Sequence, residues 1–308
     1  MKYVIFAFLL FLYVIDSKTI LSGVSDGLIL WYQTLIPSLA PFLLYSSLLK
    51  TFRIADNFRH RLFYPVFLGI FSGFPAGAKI ICDCMEQGIL SKEEGQYLLP
   101  LCNNPSMGYC LCLLAPALGI RRFPILVWLC MIGSGGIVSF LLYRKNLRLS
   151  QTMGNTRRKS HPSAYSDKQN SLHPLPASSV SFTDAFNEAV TETAKTLLII
   201  AGYVTVFTTL GIYLTKALFL PAWLCIFLQS ILEITTGTLN LKLLSLSKVK
   251  KTILGGLSNG LGGLSSLAQT ASIINHYELS WSCYFLSKLL QGVLFTLLLL
   301  LLTIIQIF

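Results

Sequence analysis

The chain has 308 residues, of which 54% are hydrophobic and 12% charged, and its mean hydropathy is +0.66. A soluble domain carries about 25% charged residues, so this composition excludes an ordinary globular protein and implies a polytopic helical membrane protein. The formal net charge of +11 collects between apolar segments, as membrane topology produces it, and no basic face interleaved with aromatics points to nucleic acid.

Residues 1–27 form an N-terminal part. Tyr3 to Ile15 is a short apolar run after Lys2, read as an uncleaved first span because no small-residue cleavage site follows it. Ser17 to Gln33 is loosely amphipathic and is expected to lie at the interface. A first membrane repeat covers 28–143, with apolar segments near 28–50, 62–82, 95–119 and 123–143. Residues 144–181 are rich in Ser, Pro and Asn and hold Arg144, Lys145, Arg148, Arg157, Arg158, Lys159 and Lys168 against the single acid Asp167. Such a composition cannot bury a core and reads as a flexible linker. A second membrane repeat covers 182–308, with apolar segments near 196–215, 218–241, 252–275 and 283–308. Ahead of it, Asp184, Glu188 and Glu192 fall at four-residue spacing on one helix face. The expectation there is the solvated side of an interfacial helix.

Two pairs of interruptions mark the halves. The first half carries SGFPAGAK (Ser72 to Lys79) and LCNNPS (Leu101 to Ser106); the second carries LEITTGTL (Leu232 to Leu239) and LSNGLGG (Leu257 to Gly263). Gly, Pro, Asn and Ser inside apolar runs free backbone groups that lipid cannot satisfy, so such stretches are buried in protein or line a cavity. Matched interruptions in two halves point to a transporter's substrate site. Further collinear matches support a duplication: Ser38–Leu49 with Ile199–Leu210, Pro75–Gly77 with Thr235–Gly237, Leu90–Lys92 with Leu246–Lys248, and Asn104 with Asn259.

Loop charge sets the expected topology. Lys50–Arg61, the central linker and Lys242–Lys251 are basic and are placed in the cytoplasm, whereas the loop with Asp83, Glu86, Glu93 and Glu94 is placed outside. This works if 62–82 and 218–241 cross fully while 95–119 and 252–275 dip in as hairpins, which makes the halves an inverted repeat. Arg121 and Arg122 count against that arrangement. The fold class is all-α, with two broken or re-entrant segments per half.

Within GFPAGAK, Ser72, Gly73, Pro75 and Gly77 interrupt a helix, and a half-helix starting there aims its N–H groups at an anion. Lys79 follows one turn later, where an ammonium must pair or face a wet cavity. Asn103 and Asn104 bring donors and acceptors beside Pro105 and Ser106. Glu233 is an intramembrane acid, a candidate for coupling to a cation or proton or for pairing with Lys79. Thr235, Gly237, Ser258, Asn259, Gly260 and Gln269 complete the expected second-half site. The eight cysteines lie mostly in apolar stretches with no zinc-like spacing, and the four histidines lie in expected loops. No metal or cofactor is implied, and without a nucleophile–base pair no enzyme is expected.

IPSLAPF (Ile36 to Phe42), SGFPAGAK, the turn at Gly88–Ser91 with acids after it, CNNPS and LEITTG (Leu232 to Gly237) together resemble the sporulation integral membrane protein YlbJ family, also called SpoVV, of the nucleoside-recognition Gate group. The resemblance runs from about Leu28 to the C-terminus. It implies a role in endospore formation, a place in the outer forespore membrane, and movement of dipicolinic acid from mother cell toward forespore. Gate domains also occur in concentrative nucleoside transporters and ferrous-iron permeases. The leading expectation is therefore a carrier of a small anion by alternating access. A nucleoside or base carrier is the first alternative. A non-transporting subunit of a sporulation membrane complex is the second, with a further copy of the chain or other sporulation membrane proteins as partners.

Overall fold

A computed structural model describes Val14 and residues 16–52, 62–152 and 181–305. The expected first span, most of the loop after Lys50 and the linker beyond Thr152 lie outside the described residues. Among the described residues the secondary structure is helical with no strand. Four helices among the described residues are long and apolar enough to cross a membrane: Ser17–Thr51, Ile125–Leu147, Phe182–Ala217 and Trp281–Ile304. The chain is an all-helical membrane protein.

Each half supplies six elements in the same order. In the first, α1 is Ser17–Thr51, with a π-helical turn at Trp31–Leu35. It is followed by α2 (Phe63–Ser72) and α3 (Ala76–Glu86), then α4 (Lys92–Cys102). Next comes α5, which starts as Met107–Tyr109, passes through a π-helical turn at Cys110–Leu114 and ends as Ala115–Ala117. The long α6 (Ile125–Thr152) closes the half. The second half comprises α7 (Phe182–Ala217), α8 (Ala222–Leu232), α9 (Ile234–Leu243), α10 (Lys248–Leu261), α11 (Gly263–Ile274) and α12 (Trp281–Ile304).

Several expected boundaries move. The interfacial stretches before each repeat are continuous with the spans that follow, so α1 has 35 residues and α7 has 36. Likewise α6 continues through Arg144 to Thr152, past the expected start of the linker. Helix propensity continues through polar residues once an apolar face is anchored.

The two longest helices pack against each other in antiparallel fashion. Gly23 faces Thr209 and Gly27 faces Thr205, and a Cβ on either glycine would sit 2.7 Å from the opposing Cα. At one end of the pair Lys216 meets Asp16 (2.7 Å); at the other Ser47 donates to Glu192 (2.6 Å). Small residues four apart allow this close approach, which dispersion rewards in lipid.

The short helices correct the expected topology. Tyr64 at the start of α2 lies in one apolar cluster with Ile81 and Cys84 near the end of α3. In the other half, Gly237 presses on Ser230, and Asn240 donates to Gln229 at 2.8 Å. So α2–α3 and α8–α9 are the hairpins. Their arms have 10 or 11 residues, about 15 Å at 1.5 Å per residue, half of a bilayer core. The segments expected to dip in, 95–119 and 252–275, instead run onward through their breaks as α4–α5 and α10–α11. Consequently Lys50 meets Asp83 at 3.1 Å, so the end of α1 and the acidic loop share one end of the molecule. Lys242–Lys251 lies at the opposite end, beyond Lys216. Loop charge put Lys50–Arg61 opposite the acidic loop because α2–α3 was counted as a full crossing; the acidic loop and Lys242–Lys251 do lie at opposite ends.

This geometry makes a direct prediction. Glu93→Cys and Ser245→Cys, each labelled with an impermeant maleimide in intact cells, should react from opposite sides of the membrane. Labelling of both from the same side would overturn the two-hairpin topology.

Candidate functional site

The four breaks meet at mid-length of α1 and α7. The α2–α3 tip is Gly73–Phe74–Pro75. Gly73 has φ 82°, a region open mainly to glycine, and Pro75 precedes α3 where its missing N–H costs nothing. The Phe74–Pro75 peptide is cis. The α4–α5 break runs from Asn103 to Ser106, whose hydroxyl accepts the Tyr109 N–H at 3.3 Å. Between α8 and α9 a single residue, Glu233, turns to extended backbone (φ −141°, ψ 112°). Its carboxylate caps α9 by accepting the Thr236 N–H at 2.7 Å. The α10–α11 break is Gly262–Gly263, both at positive φ.

These breaks touch one another. The Phe74 ring lies over Gly262, where a Cβ would meet its Cζ at 2.6 Å. Gly73 abuts Ser106, and Gly263 abuts Ile234. Between them is a cavity of about 40 Å³ whose walls include Phe74, Ser106, Tyr109, Glu233, Thr235 and Gln269, flanked by α1 and α7. One water needs roughly 10–15 Å³ of such volume, so the site as it stands holds a few waters and no larger solute.

The expected site residues divide on this geometry. Pro105, Ser106, Glu233, Thr235 and Gln269 line the cavity. Gly77 does not: a Cβ there would lie 2.0 Å from the Cys102 carbonyl oxygen, so this glycine serves helix contact. Gly237 serves the same purpose against Ser230, and Gly260 against Gly292. Ser72 and Ser258 donate to carbonyls of their own helices. Ser258, Asn259 and Gly260 lie within α10, one turn before its break, because the left-handed turn falls on Gly262.

Both asparagines are fully engaged. Asn103 accepts the Ala78 N–H at 3.2 Å and donates to Thr270 and Tyr284, both at 2.8 Å. It thereby caps α3 from across the bundle. Asn104 donates to the carbonyls of Pro100 and Leu101, both at 2.8 Å. The Leu101 carbonyl would have taken the next N–H of the helix, which Pro105 lacks. Asn259 donates to Gly255 O at 2.9 Å and accepts from the Tyr109 hydroxyl at 2.7 Å.

Lys79 is a further correction. It pairs with Asp83 at 3.2 Å and Glu192 at 3.3 Å, not with Glu233. With Lys50 on Asp83 this makes an ion-pair cluster linking α1, α3 and α7 at one end of the molecule. Glu192 thus leaves the solvated stripe expected of it, whereas Asp184 and Glu188 are exposed. Helix periodicity placed the three acids on one face but said nothing of a neighbour that reaches only the last.

Two buried polar residues beside the breaks were missed, Lys288 and Gln291. Lys288 on α12 is fully buried. Its ammonium donates to Asn104 Oδ1 (2.9 Å) and Gln291 Oε1 (2.7 Å) and sits 5.0 Å from the centre of the Phe74 ring. Gln291 also donates to Asn104 Oδ1 at 2.7 Å. The signal was present: Lys288 is the single charge in the run from Trp281 to Ile304, and an ionisable group there is a functional candidate.

No family model matches the chain, and no solved structure matches it. Among curated proteins it is similar to the sporulation integral membrane protein YlbJ of Bacillus subtilis (strain 168), at 25% identity over 87% of this chain and 73% of that protein. The chain is thus an integral membrane protein with a relative in sporulation.

The hydrogen bonds make Asn104 a structural residue. Asn104→Ala should strand two carbonyls and remove one acceptor from Lys288, at about 1–3 kcal/mol for each buried group left unpaired. The expected outcome is a clear loss of folded, monodisperse protein in detergent, read by thermal unfolding. A variant as stable as wild type would return Asn104 to the solute site.

Proposed function

We propose that the chain is a carrier of a small anionic solute, with dipicolinic acid as the leading candidate, working by alternating access in a membrane of the sporulating cell. The observation that carries this reading is the convergence of four helix breaks, two from each half, on one cavity at mid-length of the longest helices. Broken helices that meet at the midplane are how carriers place backbone groups around a solute. The outer forespore membrane is the location this reading assigns.

The reading takes the halves as an inverted repeat. It is supported by their common element order, by the antiparallel contact of the first helices α1 and α7, and by hairpins that enter from opposite ends. Such halves can exchange roles, one closing its end as the other opens. The cavity of about 40 Å³ is then a closed state, and the solute enters once a hairpin withdraws from α1 and α7.

The half-helices α3, α5, α9 and α11 all start at the breaks, so four partial positive ends gather there. Side chains cap three of them: Asn103 caps α3, Ser106 caps α5 and Glu233 caps α9. No side chain caps α11, whose first turns place Ser266 and Gln269 on the cavity. That is where a carboxylate of the solute would find free N–H donors. Glu233, facing the same cavity with no basic partner in ion-pair range among the described residues, is the proposed coupling group.

Uptake by the purified protein in liposomes tests this. Saturable accumulation of radiolabelled dipicolinate under an imposed proton or sodium gradient is the expected result. Preference for uridine would favour a nucleoside carrier, and transport of neither would favour a structural role. Glu233→Gln keeps an oxygen to cap α9 and should abolish the gradient dependence while leaving the protein folded. Unchanged gradient dependence would remove Glu233 from coupling.

A further inference from the structure

Lys288 raises a question that the fold alone does not answer. A buried ammonium is expensive to desolvate unless a charge or a full set of acceptors compensates it. Here the compensation is partial. Its acceptors, Asn104 Oδ1 and Gln291 Oε1, are neutral amide oxygens, and among the described residues no carboxylate lies within ion-pair distance of it. Two of its three protons are thereby used. On a further side lies the Phe74 ring, whose face attracts a cation.

The Phe74 ring also lines the cavity. It belongs to the tip between α2 and α3, where the two helical arms are interrupted. The slot that holds it exists because Gly262 has no side chain. One aromatic ring at that tip therefore touches the cavity and a partly compensated positive charge at once. The amides that orient the ammonium are themselves fixed, Asn104 by the carbonyls of α4 and Gln291 by the Met131 carbonyl at 3.3 Å. The charge is held ready and needs no rebuilding to meet an anion.

We infer that Lys288 is the cationic anchor for a carboxylate of the solute, and that Phe74 is the shutter that covers it in the closed state. The inference rests on the proposed anion carrier and gives that site the positive residue that Lys79, already neutralised by two acids, does not supply. When the α2–α3 tip moves, the ring leaves the ammonium. The carboxylate then takes the ring's place, so that charge pairs with charge in a site shielded from water.

The test uses the full chain in detergent and two probes of equal shape, pyridine-2,6-dicarboxylate and the neutral pyridine-2,6-dicarboxamide, with binding read by calorimetry. Wild type should prefer the dicarboxylate. Lys288→Gln should weaken dicarboxylate binding about ten- to a hundredfold, the worth of a charged hydrogen bond, and barely affect the dicarboxamide. Phe74→Ala should alter dicarboxylate affinity when Lys288 is present and leave it unaltered in the Lys288→Gln background, a coupling that a merely structural lysine would not show. Equal loss of both probes in Lys288→Gln, or no loss of either, would overturn the anchor while leaving the anion carrier standing. Wild type that binds no dicarboxylate would overturn the carrier reading, and the anchor with it. Should Lys288→Gln aggregate, Lys288→Arg takes its place. A retained preference for the dicarboxylate supports the anchor, and a lost preference in folded protein overturns it.

Discussion

A helix that ends in the middle of a bilayer leaves terminal N–H and C=O groups where no water can reach them, each costing several kcal/mol if unpaired. This chain has four such breaks, and the way their groups find partners organises the rest of the molecule. Asn103 reaches across from one break to the first turn of α3 at the next. Asn104 turns back on the carbonyls of Pro100 and Leu101, the second left open by Pro105. Glu233 and Ser106 cap the helices they precede. Asn103 ties two of the breaks together, and the contacts of Gly73 with Ser106, Gly262 with Phe74 and Gly263 with Ile234 join all four tips. They assemble into one cluster, and the space left between them is the cavity.

The same constraint sorts the charges. Lys50, Lys79, Asp83 and Glu192 gather at one end, where they neutralise one another and three helices are tied together. Such partly exposed pairs contribute little each, but their position joins the α2–α3 hairpin to both α1 and α7. Glu233 and Lys288 are different. Each is buried at the level of the breaks, each is held by neutral groups, and the Phe74 tip stands beside both. Two opposite charges kept apart at this depth are poor stability devices, since burial costs more than amides return. Their placement makes sense for a site that exchanges partners.

Much of this was legible in the residues. Long apolar runs located the spanning helices, and Gly, Pro, Asn and Thr inside such runs located all four breaks within a few residues. What stayed hidden was how each turn is made. Within LEITTGTL the turn falls on Glu233, one extended residue whose own carboxylate restarts the helix, while Thr235 and Gly237 lie inside α9. The asparagines looked like solute ligands because their donors and acceptors are visible in sequence while their partners, such as Thr270 and Tyr284, lie more than 160 residues away. Glycines were equally ambiguous. Gly77, Gly237 and Gly260 sit beside breaks yet serve close helix contacts, and the pair Gly23 and Gly27 carried the clearest packing signal in a stretch read only for its amphipathicity.

The two hairpins are alike in form and unlike in how they are fastened. The α2–α3 hairpin is tied to the long helices by ion pairs, Asp83 to Lys50 of α1 and Lys79 to Glu192 of α7. The α8–α9 hairpin is tied to α7 by a neutral contact, Gln229 to Thr215 at 3.2 Å, and its arms are joined by Asn240 to Gln229 at 2.8 Å. Ion pairs weaken when water enters and when salt is raised, whereas amide contacts lose little to screening. In the carrier proposed above, two halves that exchange roles would otherwise hold their open and closed forms at equal energy. In that carrier, fastening one hairpin with charge and the other with amides removes the degeneracy and places control of the balance at Lys79, outside the cavity walls.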